Sequence, residues 1–142
     1  MIVLDTNLVS EPLRLNGNPI VLDWLDRQAF GTLYLTAITV AELRFGIAIL
    51  PAGRRKETLD KAVEERVLPL FEGRVLPFDI AASKAYATIC SRARGTGKAI
   101  AAADGYIAAI AAAHQFAVAT RDTAPFEAAG ITVINPGTAR SP

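Results

Sequence analysis

The chain has little of the chemistry that several enzyme classes require. Its 142 residues include one cysteine, Cys90, and one histidine, His114. A single cysteine excludes an internal disulfide, and one cysteine with one histidine cannot assemble a usual zinc site. No G-x-G-x-x-G follows the first apolar run, and neither G-x-x-x-x-G-K-[ST] nor G-x-S-x-G occurs. These absences argue against dinucleotide binding, a phosphate loop and a serine hydrolase.

Long apolar runs are also lacking. Asp5 interrupts the first apolar run before a signal peptide could form, and the Ala-rich stretch 99–113 is too short and too weakly hydrophobic to span a membrane. The formal net charge of +1 neither favours nor excludes a nucleic-acid partner, because acidic and basic regions can offset each other. We therefore expect a soluble protein of the reducing cytoplasm.

Short apolar runs alternate with helical patterns along the chain. The length of 142 residues, 51% of them hydrophobic, suits one domain with a substantial core. The predicted strands lie at 2–4, 33–37, 74–78, 116–119 and 131–134. Apolar residues recur at helical spacing between them. This alternation is typical of α/β proteins, so we predict a single domain over 1–142 with a parallel sheet of about five strands and a loose tail over its last few residues.

One carboxylate stands in an otherwise mostly apolar segment. Residues 99–113 read A-I-A-A-A-D-G-Y-I-A-A-I-A-A-A, and alanine favours helix over strand. On a helix, the neighbours of Asp104 at spacings of three and four are all apolar, which is costly for a carboxylate that is not paired, hydrogen-bonded or bound to a cation. The alternative is that the helix breaks and Asp104 caps a segment beginning at Gly105.

Three further carboxylates lie near the ends of predicted strands. Asp5 follows the first strand, Glu42 lies in the helix after the second, and Asp122 follows the fourth. Each of the last two has a structural alternative, since Thr39 and Glu42 match a capping box and Asp122 precedes a short helical turn over 124–129. In a parallel sheet these positions can meet at one edge, where four carboxylates would repel one another. A hard divalent cation resolves that repulsion and activates water, so we predict hydrolysis of a phosphodiester with Mg²⁺ or Mn²⁺.

Several motifs, taken together and in this order, resemble those of one family. They read I-V-L-D-T-N at Ile2–Asn7, T-V-A-E-L at Thr39–Leu43, A-A-A-D-G-Y-I-A-A at Ala101–Ala109 and A-T-R-D at Ala119–Asp122. Shorter matches read S-E-P-L-R at Ser10–Arg14, L-P-F-D at Leu76–Asp79 and I-N-P at Ile134–Pro136. Over nearly its whole length the chain resembles PIN-domain ribonucleases, and more narrowly the VapC toxins of bacterial type II toxin–antitoxin systems, closest to the FitB branch.

The resemblance implies a three-layer α/β/α fold and an acidic quartet of Asp5, Glu42, Asp104 and Asp122. Asp5 and Asp104 are then expected to be the principal ligands of Mg²⁺ or Mn²⁺, with Glu42 and Asp122 holding a second ion or water, and with Thr6 and Arg121 orienting the site. It also implies an RNA substrate and a homodimer. The expected partner is a ribbon-helix-helix or AbrB-like antitoxin, which fills the acidic pocket and carries the complex onto operator DNA.

The chain departs from the family pattern at one acidic position. Many members read T-R-N-x-x-D-F, whereas this chain has Pro125 at the later acidic position, so the fourth carboxylate is either Asp122 or absent. The FitB branch also reads T-R-D, which favours Asp122. A second hypothesis is a weakly catalytic or non-catalytic partner module whose acidic pocket docks an antitoxin. The basic groups at 54–56 and 92–98 are expected either to approach the RNA backbone or to be solvated surface.

Overall fold

Five short strands form one fully parallel sheet in the computed structural model, which describes residues 1–137. They are β1 (Ile2–Leu4), β2 (Leu33–Thr36), β3 (Val75–Leu76), β4 (Ala117–Ala119) and β5 (Val133–Ile134). Their order in the sheet is β3-β2-β1-β4-β5, and Ile2 pairs with Leu33 on one side and with Ala117 on the other. The predicted parallel sheet of about five strands is confirmed. The predicted tail at 138–142 lies outside the described residues.

Helices connect the strands. They are α1 (Thr6–Ser10), α2 (Pro19–Arg27), α3 (Ala37–Ala48), α4 (Arg54–Lys61), α5 (Leu68–Leu70), α6 (Ile80–Gly95), α7 (Ala102–His114) and α8 (Ala124–Ala128). Short 3₁₀ turns at Glu11–Leu13 and Phe30–Thr32 precede α2 and β2, and a π-helical segment at Ala62–Val67 joins α4 to α5. No helix among these described residues is long and apolar enough to cross a membrane.

The two faces of the sheet carry separate hydrophobic cores. Successive side chains of a strand point to opposite faces, so Leu4 and Val3 of β1 enter different cores. Leu4 packs in the cluster that contains Leu8, Val21, Trp24, Val40, Leu43 and Phe71. Val3 packs in the cluster that contains Ile89, Ile107, Ala108, Ala111, Val118 and Phe126. Because helices cover both faces, the fold has three layers, as expected.

Helices α6 and α7 approach each other closely at Gly105. An ideal Cβ placed on Gly105 would lie 3.0 Å from both Sγ of Cys90 and Cε2 of Tyr86 on α6. Real Cβ contacts are essentially never shorter than this, so a larger residue at 105 would displace the side chains of Cys90 and Tyr86 by a few tenths of an ångström. Next to this contact, the rings of Tyr86 and Tyr106 stack with centroids 4.8 Å apart. The glycine therefore sets the spacing of the helix that carries Asp104.

The structure decides between the alternatives at three helix starts. Helix α3 begins at Ala37, and the Thr36 hydroxyl accepts the amide of Thr39, so the predicted capping box of Thr39 with Glu42 is wrong. Thr36 ends β2 with extended backbone, which is the conformation an N-cap needs. Helix α7 begins at Ala102 and continues through Asp104, so the helix does not break at Gly105. Helix α8 has Thr123 at its N-cap, so Asp122 does not cap it.

The first helix follows β1 without a loop. It begins at Thr6, ends at Ser10 and is followed by a 3₁₀ turn. Asp5 is its N-cap, because its side chain accepts the amide of Thr6. The polar residues that follow β1 therefore start a helix directly at the edge of the sheet.

Candidate functional site

The sheet has a topological switch point between β1 and β4. The chain leaves β1 toward β2 on one side and leaves β4 toward β5 on the other, so the two connections diverge above neighbouring strand ends. The amide of Asp5 donates to the carbonyl of Ala119 at 2.9 Å, which ties the two strand ends together. In open parallel sheets ligands bind in the crevice at this point, outside the carboxyl ends of the strands.

Asp5 lies in this crevice and is held by several donors. It is only 5% exposed. Its Oδ1 accepts the amide of Thr6 at 2.8 Å, and its Oδ2 accepts the hydroxyl of Thr120 at 2.8 Å and the amide nitrogen of Asn7 at 3.2 Å. Burial raises the pKa of Asp5, the hydrogen bonds from Thr120 and Thr6 oppose the rise, and the negative charges of Glu42 and Asp122 add to it.

Glu42 reaches the crevice from α3. The hydroxyl of Thr6 donates to its Oε1 at 2.7 Å, and the same hydroxyl lies 3.1 Å from that of buried Thr39. Glu42 itself is exposed. The hydrogen bond between Thr6 and Glu42 joins the start of α1 to α3. Thr6 therefore orients the Glu42 carboxylate.

Asp104 lies in the first turn of α7 and is partly buried. Its pKa is raised first by burial and then by the negative charges of Asp5, Asp122 and Glu42. Since α7 precedes β4 in a parallel sheet, its N-terminal turn lies at the carboxyl edge of the strands. The structure therefore brings Asp5, Glu42, Asp104 and Asp122 within electrostatic range of one another. We call these four residues the acidic cluster.

Asp122 is exposed and follows β4 in a turn that Thr120 organises. The Thr120 hydroxyl accepts the amide of Asp122 at 3.0 Å and the side-chain amide of Asn7 at 3.1 Å while it donates to Asp5. Arg121 does not turn its side chain to the acidic cluster. Its backbone amide donates to Oδ1 of Asn7 at 3.3 Å, and its guanidinium pairs with Glu11.

Four residues around the acidic cluster were not predicted from the sequence to be part of the site. Asn7 and Thr120 hold Asp5 through side-chain hydrogen bonds, Thr39 bonds to Thr6 beside the acidic cluster, and buried Glu11 holds Arg121. The sequence pattern could have identified Asn7 and Thr120 as site residues, since each is a polar residue just after a buried strand. Glu11 carries no such signal, because a glutamate in a short helical segment is ordinarily exposed.

The donor set suits a hard divalent cation that keeps most of its water. Carboxylate oxygens are the ligands that Mg²⁺ prefers. Burial is the main cause of the raised pKa of Asp5 and Asp104, and a cation would offset the neighbouring negative charge that adds to it. Within residues 1–137 no group of three or more His, Cys, Asp and Glu side chains is arranged to hold a metal ion. Mg²⁺ is typically bound through one or two carboxylates, waters and substrate phosphate, so a crevice lined by separated carboxylates fits it.

An apolar cavity of about 380 Å³ lies elsewhere, lined by residues that include Leu8, Phe30 and Phe71. It shares no residue with the acidic cluster. A second groove, of about 310 Å³, includes both Thr6 and Glu42 in its wall and continues past Arg14 and Arg55. The open space that adjoins the acidic cluster is therefore this second groove.

Comparison with known proteins agrees with the geometry. The model of the PIN domain matches residues 2–131. The VapC ribonuclease Y4jK of Sinorhizobium fredii is 57% identical over 136 residues, which cover 96% of this chain and 97% of that protein. The toxin FitB of Neisseria gonorrhoeae is 54% identical over 136 residues, covering 96% and 98%. The solved structure of FitAB bound to an IR36 DNA fragment is similar with a TM-score of 0.95 and 52% identity over 99% of each chain. The chain belongs to the PIN-domain family, in the group that contains these VapC and FitB proteins.

Proposed function

We propose that this protein is the toxin of a type II toxin–antitoxin system and acts as an endoribonuclease that requires Mg²⁺ or Mn²⁺. The observation that carries the proposal is the acidic cluster, in which four carboxylates from separate parts of the chain meet at the switch point of the sheet. The names of the relatives, a VapC ribonuclease and a toxin, support the same activity and role.

Asp5 and Asp104 would hold the principal ion. Both have a pKa raised by burial and by neighbouring negative charge, so both gain from a cation in the crevice. When bound, such an ion activates water and neutralises the phosphate under attack. The reaction is hydrolysis: a water oxygen bonds to phosphorus as the bond from phosphorus to the 3′ oxygen breaks, which leaves a 5′-phosphate and a 3′-hydroxyl.

Glu42 and Asp122 complete the acidic cluster from its two exposed sides. Thr6 fixes the Glu42 carboxylate, and the Thr120 turn fixes the backbone of Asp122. Both carboxylates can bind a second ion or orient the attacking water. Their exposure suits either role, since substrate and solvent must reach them.

A partner protein is part of the proposal. The solved FitAB structure is bound to DNA, which supports a partner protein and a DNA-bound complex. We propose that this partner is an antitoxin of ribbon-helix-helix or AbrB-like fold that occupies the acidic pocket and contacts operator DNA. We also propose a homodimer, because Phe45 on α3 and Ile49 just after it are large apolar residues with 66% and 67% of their surface exposed. The mass of the chain in solution, alone and coexpressed with a candidate antitoxin, tests both assemblies.

Cleavage of a mixed-sequence RNA tests the activity. The wild-type chain is expected to cleave it with Mg²⁺ or Mn²⁺ and not with EDTA. Asp104→Asn should reduce the rate at least about a hundredfold, since loss of a residue that only supports a metal ligand already costs about 10- to 100-fold. Asp60→Asn on exposed α4 is the matched control and should cleave like the wild type. Activity that resists EDTA, or that survives in Asp104→Asn, would contradict the proposal. No cleavage by the wild type would favour the non-catalytic partner module.

A further inference from the structure

A buried carboxylate outside the acidic cluster joins two arginines. Glu11 lies on the 3₁₀ turn after α1, and its side chain is only 4% exposed. Its Oε1 accepts the amide of Asn18 at 2.6 Å, and its Oε2 lies 3.2 Å from Nη1 of Arg121 and 3.7 Å from Nη1 of Arg14. A buried carboxylate is costly unless it is paired and hydrogen-bonded, and Glu11 meets both conditions.

The three charges at Glu11 do not cancel. Two guanidinium groups face one carboxylate, which leaves an excess of one positive charge at the protein surface. The side chains of Arg14 and Arg121 are 64% and 40% exposed. Among residues 1–137 the Arg121 guanidinium makes one hydrogen bond, to Glu11, and each guanidinium has five N–H donors in a planar fork. Most of these donors are therefore available to an anion, and the fork matches the oxygens of a phosphate.

The arginine pair lies beside the acidic cluster. The backbone amide of Arg121 binds Asn7, which itself binds Asp5, while the Arg121 guanidinium binds Glu11. Asn7 and Glu11 are four residues apart along one helical segment, which is a separation of about 6 Å. Arg14 lines the groove of about 310 Å³ whose wall also includes Thr6 and Glu42. A strand that passes Glu42 can thus reach Arg14 along this groove, and Glu11 holds Arg121 next to Arg14.

We propose that Arg14 and Arg121, both held by Glu11, form a phosphate-binding site for the RNA strand that enters the acidic cluster. This inference rests on the proposed function, since it names the residues that bind the backbone of the same RNA substrate. A phosphodiester bound by the two arginines would position a neighbouring one at the acidic cluster. The excess positive charge also offsets the repulsion between the RNA backbone and the four carboxylates.

Binding of a fluorescein-labelled single-stranded RNA tests the site without cleavage. Anisotropy is measured in EDTA over a range of salt concentrations, in an Asp104→Asn background. Each arginine that neutralises one phosphate contributes about 0.7 to the slope of log affinity against log salt. Arg14→Gln and Arg121→Gln should each lower the slope by that amount, and Arg14→Lys and Arg121→Lys should keep most of it. Arg66→Gln, at an exposed arginine on the π-helical segment, is the matched control and should leave the slope unchanged.

Arg121→Gln leaves buried Glu11 with a weaker partner and can therefore destabilise the fold. The lysine variants keep the positive charge beside Glu11, so they distinguish a loss of phosphate binding from a loss of folding. RNA affinity and slope equal to those of the background protein in both glutamine variants would overturn the site. Loss of binding to a polyglutamate peptide but not to RNA would also overturn it, and would assign the arginines to an acidic protein partner.

Metal-dependent cleavage by the chain without Asp104→Asn separates this inference from the proposed function. Cleavage with unchanged RNA binding in the glutamine variants would refute the phosphate site alone. Absence of both cleavage and RNA binding would refute both proposals. Absence of cleavage with a reduced slope in the glutamine variants would refute the nuclease and support the phosphate site.

Discussion

At the scale of single residues, the acidic cluster is a set of carboxylates that the fold keeps in an unfavourable arrangement. Burial and the neighbouring negative charges raise the pKa of Asp104 above its ordinary value of 3.8. The folded chain then binds this proton more tightly than the unfolded chain does. The contribution of Asp104 to stability is therefore fully present below pH 3.8 and is lost as the pH rises from 3.8 through the raised pKa.

The predicted fall in stability with rising pH can be tested in metal-free protein. Asp104→Asn removes the carboxylate, so we expect a higher free energy of unfolding at pH 7 and a smaller fall in that free energy between pH 4 and pH 7. Urea unfolding in EDTA at a series of pH values measures both quantities. Asp60→Asn, at an exposed site on α4, should keep the pH dependence of the wild type. Lower stability of Asp104→Asn at pH 7 would show that the carboxylate has a favourable partner there.

Thr120 is the residue on which the polar contacts of the switch point converge. Thr120→Val keeps the shape of the side chain but removes the donor to Asp5 and the acceptor for Asn7 and Asp122. We expect a loss of about 1–3 kcal/mol in the free energy of unfolding, which is typical when buried partners lose a hydrogen bond. The pKa of Asp5 should rise further, because the hydrogen bond from Thr120 is the main influence that lowers it.

Chemical unfolding and a carboxyl NMR titration of Asp5 check the two effects of Thr120→Val. Thr88→Val, at an exposed position of α6, is the control, since its hydroxyl donates to the carbonyl of Lys84 and makes no other hydrogen bond within residues 1–137. An unchanged pKa of Asp5 in Thr120→Val would contradict the role assigned to that hydroxyl.

At the scale of elements, the spacing of α6 and α7 sets where Asp104 lies. Gly105→Ala would place a Cβ 3.0 Å from side-chain atoms of Cys90 and Tyr86, so these side chains would have to shift by a few tenths of an ångström within the packed interface of α6 and α7. We expect a loss of about 1–3 kcal/mol in the free energy of unfolding, as is typical of an overpacked interface. Gly46→Ala on α3 is the matched control, because nothing lies within 4 Å of the added Cβ. It should gain up to about 1 kcal/mol from the better helix propensity of alanine.

Thermal or urea unfolding measures the free energy of unfolding of both alanine variants. The comparison shows whether close packing or helix propensity determines the effect of alanine at position 105. If Gly105→Ala is as stable as the wild type or more stable, the close approach of α6 and α7 at this residue is not what requires glycine.

Elements whose apolar pattern is strong were predictable from the sequence. The strands at 2–4 and 33–37 and the helix after Pro19 follow from runs and spacings that local sequence determines. Helix starts were less predictable, because several polar residues in a row each make an acceptable cap. Thr36 and Thr39 both qualify at α3, and the extended backbone at the end of β2 decides for Thr36.

At the scale of the whole molecule, the sheet order decides which residues meet. Neighbouring β1 and β4 bring together Asp5 and the Thr120 turn, which are 115 residues apart in sequence. The acidic residues themselves were predictable, since a carboxylate after a buried strand or within an apolar helix is conspicuous. Their supports were not, because Asn7, Thr39 and Thr120 acquire partners only through the pairing of distant strands and helices.

The proposed activity requires that the acidic cluster binds a divalent cation. Calorimetric titration of Mn²⁺ into metal-free protein at pH 7 measures this binding, with the wild type, Asp5→Asn and Asp104→Asn compared side by side. We predict that the wild type binds Mn²⁺ and that each variant binds at least about tenfold more weakly, which corresponds to about 1.4 kcal/mol. Absence of binding at millimolar Mn²⁺, or equal binding by all three proteins, would contradict the proposal.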